Sequence, residues 1–324
     1  MNKFIIFLFL LHIPLLQADK WELKNFNFYM ENDSDVQTDQ DYSYGSELSL
    51  LYYRKDIKDI KLHIPFTAYK AADNYISFSY SQEIYSPRDI KSSSLIKDER
   101  AYAGYMYFSI GIYQSNNNVL KSFIMQAGLV GPSTHMETVQ KSVHGLIGSP
   151  MPQGWDNQLQ DELILQINYS QKYYYDLDKI YDLDTVLIPE FGFELGNAST
   201  KVSSGVLFRW GWEIPKDYGS YTMNNSSYSK VPLSIKNNFK EKWLFCFNFG
   251  SRINAIAHNI FLDGNSFSST HNVEKNSFTI EGYYGFSLKY KEIYIDYIRT
   301  HTSKEYKNQK NNLGYGSLQF SYNF

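Results

Sequence analysis

The chain has 324 residues, of which 43% are hydrophobic, 20% charged and 17% aromatic. Tyr (29) and Phe (22) outnumber what a mixed α/β enzyme needs, and a formal net charge of −3 gives no general case for a nucleic-acid partner. The single cysteine, Cys246, excludes a disulfide framework within one chain and any CxxC zinc site, and a mean hydropathy of −0.42 excludes a bundle of apolar membrane helices.

The opening MNKFIIFLFLLHIPLLQADK reads as a secretory leader. Lys3 supplies the positive start, Phe4 to Leu16 an apolar run, and Ala18 a small residue at the cleavage position. The run is too short to cross a bilayer about 30 Å thick as a helix, which needs ~20 residues. Residues 1–18 are therefore set aside, and residues 19–324 read as one domain.

Much of the remaining chain alternates with period two. Strands are predicted at 22–31, 43–53, 58–67, 75–85, 101–114, 119–130, 160–173, 186–197, 202–214, 240–252 and 276–290, with 291–303 and 313–324 competing for the last place. In the final ten residues Leu318, Phe320, Tyr322 and Phe324 point one way, and Ser317, Gln319, Ser321 and Asn323 the other. Val206, Phe208, Trp210 and Trp212 show the same pattern, as do Phe245, Phe247 and Phe249. A sheet with a greasy aromatic face and a polar face suits a membrane wall with interfacial aromatic girdles. Lipid offers no partner for backbone groups, so such a sheet must close. The fold expected is all-β: a transmembrane antiparallel barrel of about twelve strands. Connectors near 86–100, 215–239 and 262–275 read as extracellular loops, and 114–119 as a periplasmic turn.

Two stretches break the pattern. Glu31, Asn32, Asp33, Asp35, Asp39 and Asp41 crowd together; this density of oxygen donors suits a hard cation such as Ca²⁺ or an ordinary acidic loop. Residues 133–147, STHMETVQKSVHGLI, read as a short amphipathic helix in a loop. Thr134 and Glu137 have capping-box spacing, Met136, Val139, Val143 and Ile147 fall on one stripe, and Gly145 and Gly148 offer a stop. Gln140 and His144, four apart, share a face.

Taken in order, FYMEND, TDQDYSYG, IYSP (84–87), DERAYAGY, GLVGP, VQKSVHGLIG and QGWDNQL resemble the lipid A 3-O-deacylase family of Gram-negative outer membranes. The motifs span residues 28–158; the rest matches only as generic barrel. The resemblance implies a twelve-stranded outer-membrane barrel whose site lies between the wall and a helix from an extracellular loop. It implies Ca²⁺-dependent removal of the 3′-linked acyl chain of lipid A, with lipopolysaccharide and outer-membrane lipids as partners and a monomer as the working unit. By motif match His144 takes the place of the histidine that activates water, Asn32 and Asp33 that of the pair beside the metal, with Asp33 as the ligand, and Ser43 that of a hydroxyl residue. Gln140, Arg88 and Lys91 are candidate substrate contacts, and Lys97 and Arg100 are further cations near them.

One departure stands out. Some members carry a carboxylate soon after the histidine; residues 145–155 contain no Asp or Glu, leaving Asp156, Asp161 or Glu162 to orient the imidazole. A porin or structural barrel without activity explains the alternation and the terminal Phe equally well, but not the His-bearing helix. An outer-membrane phospholipase needs a serine nucleophile whose pattern is not found here.

Overall fold

The structure, a computed structural model, describes residues 21–33, 41–54, 73–116, 118–219, 231–232 and 243–324. The strands are β1 (Trp21–Asn32), β2 (Asp41–Arg54), β3 (Asp73–Ser86), β4 (Ala103–Ser115), β5 (Val119–Val130), β6 (Glu162–Tyr173), β7 (Tyr175–Ile180), β8 (Leu183–Gly196), β9 (Ser199–Trp212), β10 (Trp243–Asn259), β11 (Phe278–Tyr290), β12 (Ile293–Thr302) and β13 (Leu313–Asn323). Two helices interrupt them, α1 (Met136–Ile147) and α2 (Ile260–Asp263). Neighbouring strands pair antiparallel, β6 pairs with β8, and β13 returns to β1 through Phe28↔Phe320 and Phe26↔Tyr322. The result is a closed twelve-stranded barrel, with β7 folded back on the first residues of β8 as an extra arm.

Both candidates for the last strand form, as β12 and β13, because the barrel closes only when the terminal strand has a partner on each side. The expected strand at 58–67 lies outside the described residues. The arm β7 adds a short strand beyond the expected set; YDLDKI carries charges at Asp176, Asp178 and Lys179 and is exposed along its length.

The burial pattern is the reverse of a water-soluble protein. In β13 Ser317, Gln319 and Ser321 are buried inside, while Leu318, Phe320 and Tyr322 are exposed. In β4 Ser109 is buried and Phe108 and Ile110 face out. An exposed apolar wall around a buried polar interior is the arrangement that lipid requires. Ion pairs and hydrogen bonds fill that interior: Arg252 binds Glu190 and lies 3.6 Å from Glu281, and Arg209 binds Asp217 (2.9 Å) and Tyr294 (3.0 Å).

Antiparallel strands put successive connections at alternate ends. Those after β1, β3, β5, β8, β10 and β12 share one end with α1 and α2. The connectors around 86–100 and 262–275 are there, as expected for loops of one side. The connector at 215–239 is not: its described part sits at the opposite end with the end of β4, where Tyr218 bonds Ser115 (2.9 Å) and Asp217 reaches Arg209. Alternation forces this, because β9 runs away from the helix-bearing end.

Candidate active site

Helix α1 lies against the outer face of the wall, not in the lumen. In β4 the odd positions Tyr105 and Tyr107 are buried inside, so Gly104 faces out. A Cβ there would come 2.3 Å from Thr134 Oγ1 and 2.6 Å from Met136 Cβ, so only glycine lets the helix approach this closely. Met136 then packs with Ile84, Ile90, Tyr102 and Trp155, with Tyr44 and Val139 beside them. The helix begins later than the spacing predicts. Thr134 sits in a preceding 3₁₀ turn and donates to Gly131 O (2.7 Å), while His135, with φ 57°, caps the helix without a side-chain bond. The capping box does not form; Glu137 pairs with Lys141 instead (2.5 Å). Gly148, at φ 73°, ends the helix in the left-handed conformation that glycine adopts without strain.

The buried face of α1 is Met136, Gln140 and His144. Gln140 Nε2 donates to Ser86 Oγ (3.2 Å), and Ser86 Oγ shares a 2.7 Å hydrogen bond with Ser43 Oγ. A bulge between Tyr42 and Tyr44 sets Ser43 apart from the regular ladder. Asn32 Nδ2 then donates to the Ser43 carbonyl (3.2 Å), and Asp33 follows at the buried end of β1. A continuous chain of contacts thus joins the helix that carries His144 to the Asn32–Asp33 corner. On its other side Gln140 Oε1 accepts from Trp155 Nε1 (2.8 Å), which ties α1 to its own return segment.

His144 is 6% exposed, and its Nδ1 lies 2.7 Å from the Pro150 carbonyl oxygen. A carbonyl can only accept, so Nδ1 carries the proton and Nε2 the lone pair in the neutral ring. The orienting group is therefore a backbone carbonyl from the Pro-containing segment. The three carboxylates considered for this task are occupied or turned away: Asp161 accepts from Ser133 (2.8 and 2.7 Å), Glu162 from Asn197, Asn265 and Ser266, and Asp156 is exposed.

Arg88 and Lys91 lie at the same end, exposed, in the loop 87–102. That loop is stitched to the α1 return by Gln153 N–H to Ile90 O (2.8 Å) and Asn157 Nδ2 to Ser93 O (2.9 Å). Arg100 is different. It is buried between Asp41 (3.1 Å) and Glu305 (2.5 Å) and stacks near Tyr85 and Tyr306, so it is not available as a phosphate contact. Burial pushes the Glu305 carboxyl up, and the Arg100 guanidinium opposes that.

The acidic cluster divides. Glu31 faces the lumen and accepts from Tyr29 (2.7 Å) and Ser317 (2.8 Å). Asp41 accepts from Arg100, Tyr306 (3.0 Å) and Gln309 (3.0 Å). Asp35 and Asp39 lie outside the described residues. Asp33, 2% exposed, is the carboxylate beside Asn32 and Ser43. These donors are all oxygens, which fits a hard cation in kind. Among the described residues no group of three or more His, Cys, Asp or Glu gathers as a complete shell. The sequence gives Ser86 and Trp155 no role of their own, although IYSP and QGWDNQL contain them, and it places Pro150 and Pro152 only in the stretch where a carboxylate is missing.

A family model described as Outer membrane protein LpxR matches residues 4–324. Among solved structures, LpxR from Salmonella typhimurium is similar, with a TM-score of 0.75 and 18% identity over 93% of this chain and 100% of that one. The β domain of the Bordetella autotransporter BrkA gives a TM-score of 0.43 at 8% identity (94% and 99% covered). The translocator domain of the autotransporter NalP from Neisseria meningitidis gives 0.42 at 7% (95% and 90%). No curated protein matches the sequence.

Proposed function

The chain belongs to the LpxR family of outer-membrane proteins, a family of lipid A deacylases, and from that premise we propose that it removes the 3′-linked acyl chain of lipid A at the site between α1 and the wall. It is a twelve-stranded β-barrel of a Gram-negative outer membrane. The leader at 1–18 is its export signal, and the end that carries α1 faces outward, toward the leaflet that holds lipid A.

The observation that carries this reading is the contact chain Asn32–Ser43–Ser86–Gln140, one turn of helix from His144 on the outer face of the wall. Ester hydrolysis needs a base beside the lipid, and a site inside the lumen could not reach an acyl chain. With Nδ1 bound to Pro150 O, His144 presents Nε2 as the base. It takes a proton from water as the water oxygen bonds to the ester carbonyl carbon. The bond to the sugar oxygen then breaks, and the imidazolium returns the proton to that oxygen. The products are a free fatty acid and a sugar hydroxyl. Asp33 would hold Ca²⁺, which would supply a positive charge for the ester carbonyl oxygen. Asn32 and Ser43 place hydrogen bonds without adding charge. Arg88, Lys91 and Gln140 contact the substrate or orient the helix, and one chain suffices for the site.

The test is mass spectrometry of lipid A from cells that express the folded protein with Ca²⁺ present. The expected result is loss of the 3′-linked chain, abolished by His144→Ala while the barrel still resists SDS at room temperature. An intact acyl pattern with well-folded protein overturns the reading.

A further inference from the structure

We propose that the C-terminal half of α1 is an interfacial anchor, occupied by the acyl chains of the surrounding outer leaflet. The helix carries Met136, Val139, Val143 and Ile147 on one apolar stripe. At its start the stripe packs on protein, with Met136 buried and Val139 half-buried against Ile84, Tyr102 and Trp155. At its end the stripe runs off that support: Val143 is 43% exposed, Ile147 66%, and the adjoining Leu146 86%. Met151 folds toward the same tip, its Cε 3.6 Å from where a Cβ on Gly145 would lie.

Over the same turns, the side chains turned toward the wall are the polar Gln140 and His144. A helix on a water-soluble protein does the opposite. The wall beneath is inverted in the same sense: Phe108, Ile110 and Met125 are exposed, while Ser109 and Gln126 are buried. Because α1 starts over the outward-facing Gly104 and reaches Ser86 at the end of β3 through Gln140, it lies on the same outer face of the wall that carries the exposed apolar side chains. That shared face, with the inverted polarity, selects lipid chains as the occupant over a second protein. A helix rises about 1.5 Å per residue, so Val143, Leu146 and Ile147 all lie within one turn of His144. Anchoring the tip therefore sets the depth at which the imidazole meets the membrane surface.

The test is depth labelling, which needs no turnover, so its outcome is independent of the hydrolase reading. Leu146→Cys, Ile147→Cys and, on the polar face, Lys141→Cys are each labelled with an environment-sensitive fluorophore; Cys246 is buried inside the barrel and is protected. Each protein is folded into phosphatidylcholine vesicles brominated near the top of the acyl chain, with heat-modifiable mobility in SDS as the folding check. The expected result is blue-shifted emission at 146 and 147, quenched several-fold more by bromine than at 141. Quenching of 146 and 147 by aqueous iodide in place of bromolipid overturns the proposal. Protection that rises with the protein-to-lipid ratio also overturns it, since a second copy would then cover the tip.

Discussion

His144 and Pro150 are joined by a 2.7 Å hydrogen bond between the imidazole Nδ1 and the backbone carbonyl, six residues apart across the Gly148 turn. A carboxylate in this place would add a negative charge beside the ring and stabilise its protonated form. A carbonyl fixes the tautomer and leaves the charge out. The neutral ring should therefore carry its proton on Nδ1. Histidine-selective ¹⁵N spectra of the folded barrel, with the His144 signal identified by its loss in His144→Asn, check this. A neutral His144 protonated on Nε2 would refute the assignment.

Gln140 satisfies two neighbours at once, accepting from Trp155 and donating to Ser86. Leucine keeps the volume but leaves the buried Trp155 N–H without that acceptor, a loss worth about 1–3 kcal/mol. The cost falls on the docking of α1 rather than on the barrel. Gln140→Leu should lower kcat by about ten- to hundredfold with a smaller change in KM. Gln140→Glu, which keeps an acceptor for Trp155, should retain more activity. Deacylation kinetics on purified lipid A separate the two.

Gly104 is the point of closest approach between wall and helix. A methyl group at this position collides with Met136 Cβ at 2.6 Å, which is not the far end of a flexible chain, so α1 must shift outward. Overpacking of this kind costs about 1–3 kcal/mol. Gly104→Ala should reduce activity sharply while leaving the SDS-resistant barrel and its melting temperature nearly unchanged. Protease cleavage within 136–151 should rise. Unaltered activity and protease resistance would count against a tightly docked helix.

Asp263 is the last residue of α2. Burial raises its carboxyl, but hydrogen bonds from His258, Lys275 and the Asn259 N–H outweigh that and bring it to about 2. In an unfolded chain the group titrates near 3.9. A depressed carboxyl stabilises the folded loop above about pH 4, and that contribution disappears as the pH falls through about 2. Pepsin, active at both extremes, should cut 260–277 at pH 2 and spare it at pH 4. Asp263→Asn should flatten that difference.

The alternation in YGSLQFSYNF was enough to tell lipid face from lumen face, because a two-residue period is a local property that every turn of the strand repeats. The aromatic count, the closing strand and the existence of a loop helix were legible for the same reason. Contacts between residues distant in sequence were not. Gln140 meets Ser86 across 54 positions and Arg100 meets Glu305 across 205, and no periodicity encodes either. Hence Arg100 read as a free cation and proved to be a buried one, and the connector at 215–239 read as an extracellular loop like 262–275, whereas its described part sits at the other end.

Composition and alternation alone thus determined that this chain lines a membrane with its apolar side chains and hides its polar ones. Only closure of the barrel decided which loops share an end, that α1 rests outside the wall over Gly104, and that Pro150 rather than an acid holds His144. The difference is physical: a side chain's face follows from its neighbours along the strand, whereas its partner follows from where the whole ring of strands brings the loops.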